Sequence, residues 1–342
     1  MSKKIVTSAL VALFIVFGGF FIGSSANALT LIAPTFEQDV DPGVASKTEI
    51  KLYNETQDTL ALYPEVVSFT ANGETGQPTF DFDAPLEGVA TWFDLPEGPI
   101  TLEGGERKVI PITITPPIDA EPGGHYATVF FGTSAPNLED PGSLALATKL
   151  GSLFLLRVFG DVTEEGSIAE FGLDGNKTSL NRLPATLFTR FQNNGNIHLR
   201  PEGTITVKNV LGAETAKLDF NAKKGATLPD TIRRYDTVWE KGQVKIASGN
   251  FWNKFWTEFA NEKNNFALGI YKAEIKLSAG NGNLVQDSAE LTFWVWPWRI
   301  LFVSLLVLIL IIILLILSIK KYNKWIVAKA TKAQETTEPQ KK

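Results

Sequence analysis

The chain has 342 residues, with 37 Asp+Glu against 32 Lys+Arg, two His, one Met and no Cys. The absence of Cys and the scarcity of His exclude thiol chemistry and leave little for a transition metal to bind. Residues 29–299 hold 23 basic and 35 acidic residues, a net charge of −12 that argues against nucleic acid as a partner.

The first 28 residues open with Lys3 and Lys4, run apolar from Ile5 to Ile22 and end in Ala26-Asn27-Ala28. A basic start, an apolar stretch and a small-x-small ending are the parts of a secretory signal peptide, with cleavage expected after Ala28. An uncleaved signal anchor is the alternative, and the Ala-Asn-Ala site argues against it. Exported chains without disulfides rely on core burial, which 271 residues between signal and span can supply.

The next stretch reads as strands. Thr48–Tyr53, Val109–Thr115, Tyr126–Phe131, Thr204–Lys208, Lys272–Leu277 and Ala289–Val295 alternate polar and apolar residues between Gly, Pro, Asn and Asp. Period-two patterns of this kind predict half-buried strands, and several at short intervals predict a β-sandwich. The pattern recurs after about 140 residues. TEIKLYNETQDTLALYPE (48–65) and TLFTRFQNNGNIHLRPEG (186–203) both give strand, Asn-rich turn, strand and Pro. Each half later has a Gly-x-Tyr opening a strand, at Tyr126 and Tyr271, which suggests a tyrosine corner. The expected fold is all-β: two tandem immunoglobulin-like β-sandwiches, 29–163 and 164–297, followed by a single transmembrane α-helix.

One segment breaks the strand pattern. In Gly249–Asn264, Phe251, Trp252, Phe255, Trp256 and Phe259 recur along one stripe of a helix, with Lys254, Glu258 and Glu262 elsewhere on the wheel. Two readings stand. The rings cap the core of the second sandwich, or they lie on the outer leaflet beside Trp294, Trp296 and Trp298.

From Ile300 to Ile319 the chain is apolar apart from Ser304 and Ser318. Twenty residues at ~1.5 Å each span roughly 30 Å, the thickness of a hydrocarbon core. The tryptophans before this run and Lys320, Lys321, Tyr322, Lys324 and Trp325 after it are the residues of a membrane interface. The expected span is 298–319, with an extracellular N-terminal part and a cytoplasmic Lys-rich tail, 320–342, without a fold of its own. A buried core helix is the alternative reading.

Catalytic and metal constellations are sparse. His125 and His198 fall in separate halves, and no nucleophile-elbow, zinc-protease or Walker pattern occurs. The acidic pairs Asp39/Asp41 and Asp81/Asp83 fall short of a calcium shell, so no cofactor and no enzyme activity are expected. Asn54-Glu55-Thr56 and Asn176-Lys177-Thr178 match glycan acceptors, a motif common by chance.

The stretch ITLEGGERKVIPITITPPIDAEPGGHYATVFFGT (100–133), with 147–162 and GNIHLRPEGTITVKN (195–209), is similar to sandwich domains of bacterial surface proteins. The layout of signal, two sandwiches, span and Lys-rich tail resembles the WxL-interacting proteins of Gram-positive bacteria. That resemblance implies a first domain that binds peptidoglycan and a second that binds another surface protein. The expected role is a membrane-anchored extracellular binding or adhesion protein whose partners are the lipid bilayer and peptidoglycan or a surface protein. A structural spacer or assembly subunit of a membrane complex is the alternative.

Overall fold

The structure is a computed structural model that describes residues 29–133, 149–280 and 285–335. The expected signal peptide, 1–28, and the last residues of the expected tail, 336–342, lie outside the described residues. The chain divides into two compact units, Met1–Thr70 with Thr79–Asp161 and Ala71–Pro78 with Val162–Lys342.

The first unit is built from β1 (Leu29–Ile32), β2 (Thr35–Val40), β3 (Ser46–Asn54), β4 (Leu60–Asn72) except its last two residues, the end of β5 (Gln77–Phe80), β6 (Phe93–Asp94), β7 (Ile100–Leu102), β8 (Arg107–Ile114), β9 (Gly123–Gly132) and β10 (Lys149–Val158). One sheet has the order β1-β3-β8-β6. The other has β2-β10-β9-β4-β5, with β7 added to β4. Ile50 and Leu52 of β3 and Ile110, Ile112 and Ile114 of β8 point inward from one sheet. Val129, Phe131, Phe154 and Leu156 meet them from the other. The edge changes sheets at Ala33-Pro34: β1 runs antiparallel to β3, while β2 runs parallel to β10. Ala33 takes a positive φ of 69°, and Pro34 has no N–H to continue the ladder.

The second unit contains β11 (Gly166–Leu173), β12 (Ser179–Leu180), β13 (Ala185–Asn193), β14 (Glu202–Asn209), β15 (Glu214–Phe220), β16 (Thr231–Trp239), α1 (Phe251–Asn264), β17 (Gly269–Ala279), β18 (Val285–Val295) and α2 (Trp298–Glu335). Its sheets are β11-β13-β16 and β12-β18-β17-β14-β15. Trp239, Tyr271 and Phe293 pack together across the core, with Trp239 and Tyr271 centroids 5.1 Å apart. All six segments expected to be strands lie within or nearly within strands. The helix α2 does not stop at Ile319; it runs 38 residues to Glu335, so the start of the tail expected to be unfolded is helical. Straight-chain and Ala residues after Ile326 are good helix formers, and no Pro or Gly interrupts them before Pro339.

The internal repeat has a physical core. Asn54 ends β3 and Asn193 ends β13, and both are fully buried. Asn54 Nδ2 donates to the carbonyls of Asp58, Leu102 and Glu103, while its Oδ1 accepts from Thr56 N–H and Oγ1. Asn193 Nδ2 donates to Ile197 and Thr227 carbonyls, and its Oδ1 accepts from Gly195 N–H. Each amide thus replaces backbone partners that a turn leaves unpaired. A buried Asn54 with both ends of its amide occupied cannot accept a glycan in the folded chain.

The expected tyrosine corner is corrected in part. Among the described residues, the Tyr271 hydroxyl accepts the nearby Leu268 N–H, at 3.3 Å. The tyrosine that ties down a distant loop is Tyr235 in β16. Its hydroxyl donates to Gly225 C=O at 3.1 Å and lies 2.8 Å from Thr227 Oγ1. Burial holds its phenol above the ordinary tyrosine range.

Asn193→Ala strands two carbonyls and one N–H in the core. It should destabilise the protein by roughly 2–4 kcal/mol, read as a lower urea midpoint of the full-length chain in detergent.

Candidate membrane-interface site

Helix α1 is started by Asn250, whose Oδ1 accepts Asn253 N–H at 2.9 Å. Its amphipathicity is inverted. The buried residues are Asn261 and Glu262, not the aromatic stripe. Phe251, Trp252 and Trp256 are 72%, 64% and 51% exposed, and Phe255 and Phe259 are half-buried. None of the five belongs to the core of the unit. The reading that these rings cap the sandwich is therefore corrected. The core end is already filled by Trp239, Tyr271 and Phe293, and α1 attaches through polar groups instead.

Those groups form a continuous set. Asn261 holds the preceding loop from both sides: its Oδ1 accepts Lys245 N–H at 3.0 Å and its Nδ2 donates to Lys245 C=O at 2.9 Å. Asn265, just past the helix, accepts Gly242 N–H at 2.9 Å. Glu258 accepts from Arg182 Nε at 3.1 Å. Glu262, with no exposed surface, takes three donors: Arg299 Nη1 at 2.8 Å, Arg299 N–H at 3.0 Å and Ile300 N–H at 3.1 Å. The Arg299 guanidinium also lies 3.9 Å from Glu258.

Arg299 and Ile300 are the second and third residues of α2. A helix leaves its first N–H groups without internal partners, and its N-terminus carries a partial positive charge. Glu262 supplies both the acceptor and the countercharge from a different helix. The first i→i−4 bond at this end, Leu301 N–H to Pro297 C=O at 3.1 Å, follows at once.

The strand that leads into α2 is held to its last residue. Trp294 N–H and Trp296 N–H donate to Thr178 and Leu180 carbonyls at 2.9 and 2.7 Å, beside β12. Only Trp296 and Pro297 separate β18 from α2. Trp294, Trp296 and Trp298 are each 41–54% exposed, and Phe255 packs edge-on to Trp298 with centroids 6.2 Å apart. The sequence-predicted aromatics thus gather at one end of the unit. Lys320 and Lys321 are exposed on α2, beyond the apolar run. The residues that sequence reasoning missed are Glu262, Asn261 and Arg299. The available signal was a lone arginine abutting twenty apolar residues, a charge that needs a partner.

Other candidates have ordinary roles. Asp39 pairs with Arg157 at 2.7 Å, and Asp81 Oδ1 accepts Asp83 N–H at 3.1 Å. His125 Nε2 lies 2.9 Å from Glu121 C=O, with its ring against Trp92. Among the described residues no group of three or more His, Asp or Glu is placed to hold a metal. The first unit carries a groove of about 810 Å³ lined by Phe82, Leu86, Phe93 and Leu95 with Asp83 and Glu97.

No protein-family model matches the chain, and no curated protein matches it. Among solved structures it is similar to the Class 5 fimbriae chaperone CfaA, at a TM-score of 0.37 and 12% identity over 78% of this chain and 99% of that one. It is also similar to the E. coli chaperone DraB, at 0.32 and 12% over 79% and 97%. The Pseudomonas aeruginosa CupB2 chaperone gives 0.33 and 9% over 77% and 100%.

Glu262→Ala leaves Arg299 and two N–H groups without their acceptor. Breaking a buried pair in this way costs roughly 3–5 kcal/mol locally. Hydrogen exchange should quicken at Arg299, Ile300 and along α1, while amides of β17 and β18 keep their protection.

Proposed function

We propose that this chain is a single-pass surface protein, similar to WxL-interacting proteins, in which α2 spans the membrane and α1 seats the second unit on the outer leaflet. In this reading two tandem immunoglobulin-like sandwiches stand outside the cell, the signal 1–28 is removed, and the Lys-rich end of α2 is cytoplasmic. The protein binds rather than catalyses. The observation that carries the reading is the helix pair: α1 is fixed to the start of α2 by its polar face and turns its aromatic row outward, level with the first turn of an apolar helix. The candidate span, Trp298–Lys329, has none of its most apolar window buried against the rest of the chain. Trp and Phe favour the headgroup zone, and an amphipathic helix lies there in plane.

The first unit then carries the surface that meets wall polymer or another surface protein. Its groove, within the size range of ligand sites, combines aromatic rings with carboxylates and suits a polymer that has both apolar faces and hydrogen-bonding groups. The assembly-subunit alternative shares the same helix pair and differs in what covers the rings, a neighbouring membrane protein instead of lipid.

Full-length protein in vesicles should show tryptophan emission quenched by lipids brominated near the headgroup. Trp252→Glu with Trp256→Glu should lose part of that quenching and keep the β-sheet circular dichroism. Unchanged quenching would contradict the seating on lipid, and loss of the sheet signal would return the rings to the core. The same vesicles should co-sediment with purified cell wall or crosslink to a surface protein; failure of both would sink the binding role.

A further inference from the structure

The β14–β15 hairpin turns through Val210, Leu211, Gly212 and Ala213. Its apex is apolar: Val210 is 71% exposed and Leu211 87%. Polar turn residues are the usual occupants of such a position, and a lone exposed apolar side chain needs no explanation. Here there are two in succession, on a turn built to hold them outward. Asn209 Oδ1 accepts both Leu211 N–H and Ala213 N–H at 3.0 Å. Asn209 N–H donates to Ala213 C=O and Gly212 N–H to Asn209 C=O, each at 2.9 Å. Gly212 takes φ +79°, the left-handed region that a side chain there would oppose.

Strand register fixes where this apex lies. Asn209 pairs with Tyr271, so the two residues beyond it are level with Ile270 and Gly269. Gly269 in turn pairs with Val295, the last residue of β18. The apex therefore stands at the same end of the sheet as Trp294, Trp296 and the first turn of α2. The sheet order β12-β18-β17-β14 puts it two strands from β18, about 10 Å at ~4.8 Å per strand. Helix α1 bonds both to Arg182, which follows β12, and to Gly242 and Lys245, which follow β16. The apex and α1 are thus two separate elements at the end of the unit from which α2 starts.

We propose that the Val210-Leu211 apex is a second membrane foot, inserting into the outer leaflet beside the root of α2 and apart from α1. The occupant is lipid because the apex is level with the start of an apolar helix that crosses the bilayer, the reading of α2 on which this inference rests. One crossing helix leaves the unit free to rock about its root. A second contact apart from that of α1 restrains that freedom, and the second unit stands at a fixed tilt.

The chain has no native cysteine, so single-cysteine variants label cleanly. Leu211→Cys, Ser304→Cys inside the span and Lys223→Cys as an exposed control are each given a nitroxide in the full-length protein. They are then reconstituted in vesicles of phosphatidylcholine with phosphatidylglycerol. Collision with oxygen, which concentrates in lipid, is compared with collision with a water-soluble nickel chelate. The position 211 label should lose chelate accessibility relative to position 223 and gain oxygen accessibility, approaching position 304. A position 211 label as open to the chelate as position 223, while position 304 is shielded, overturns the foot and leaves the anchoring reading intact. A position 304 label open to the chelate overturns both.

Discussion

The second unit depends on a carboxylate in the wrong helix. Glu262 belongs to α1 and spends its oxygens on the N-terminus of α2. A helix leaves its first N–H groups without partners of its own, and buried ones must find acceptors elsewhere. A fully buried carboxylate cannot stay charged without partners. Each problem is the solution of the other. The Arg299 guanidinium completes the arrangement and brings Glu258 and Arg182 into it.

From that exchange follows the inverted character of α1. Once the polar face is committed to Glu262, Asn261 and Glu258, the aromatic face has nowhere to go but outward. The helix is polar where it meets protein and apolar where it meets its surroundings, the reverse of a helix on a soluble domain. The last strand is bonded as far as Trp296, Pro297 stiffens the next residue, and α2 begins. No flexible linker intervenes, so the orientation of the sandwich and that of the apolar helix are one property.

Much of this was legible in the residues. Period-two alternation located β3, β8, β14, β17 and β18 because each has one face in a core and a more open one, as Ile50 and Leu52 against Glu49 and Lys51 show, whereas β9 is covered on both faces. The repeat was visible because Asn54 and Asn193 perform the same turn-closing task. The aromatic stripe of α1 was visible too, but its direction was not. A helical stripe states which residues share a face and is silent on whether that face meets protein or lipid. Glu262 looked like an ordinary polar-face residue, since its partners Arg299 and Ile300 are far along the chain. Hydropathy marks where the apolar run stops, whereas the helix continues for as long as good helix formers do, so α2 runs on past Ile319.

The central claim is that the polar face of α1 fixes the direction of α2 relative to the second sandwich. It is tested most directly by the distance distribution between nitroxides at Lys217→Cys on β15 and Lys320→Cys on α2, measured by pulsed dipolar spectroscopy of the full-length protein in nanodiscs. A fixed root gives one narrow distance, which broadens when Glu262 is replaced by Ala. A broad distribution with Glu262 in place would contradict the account.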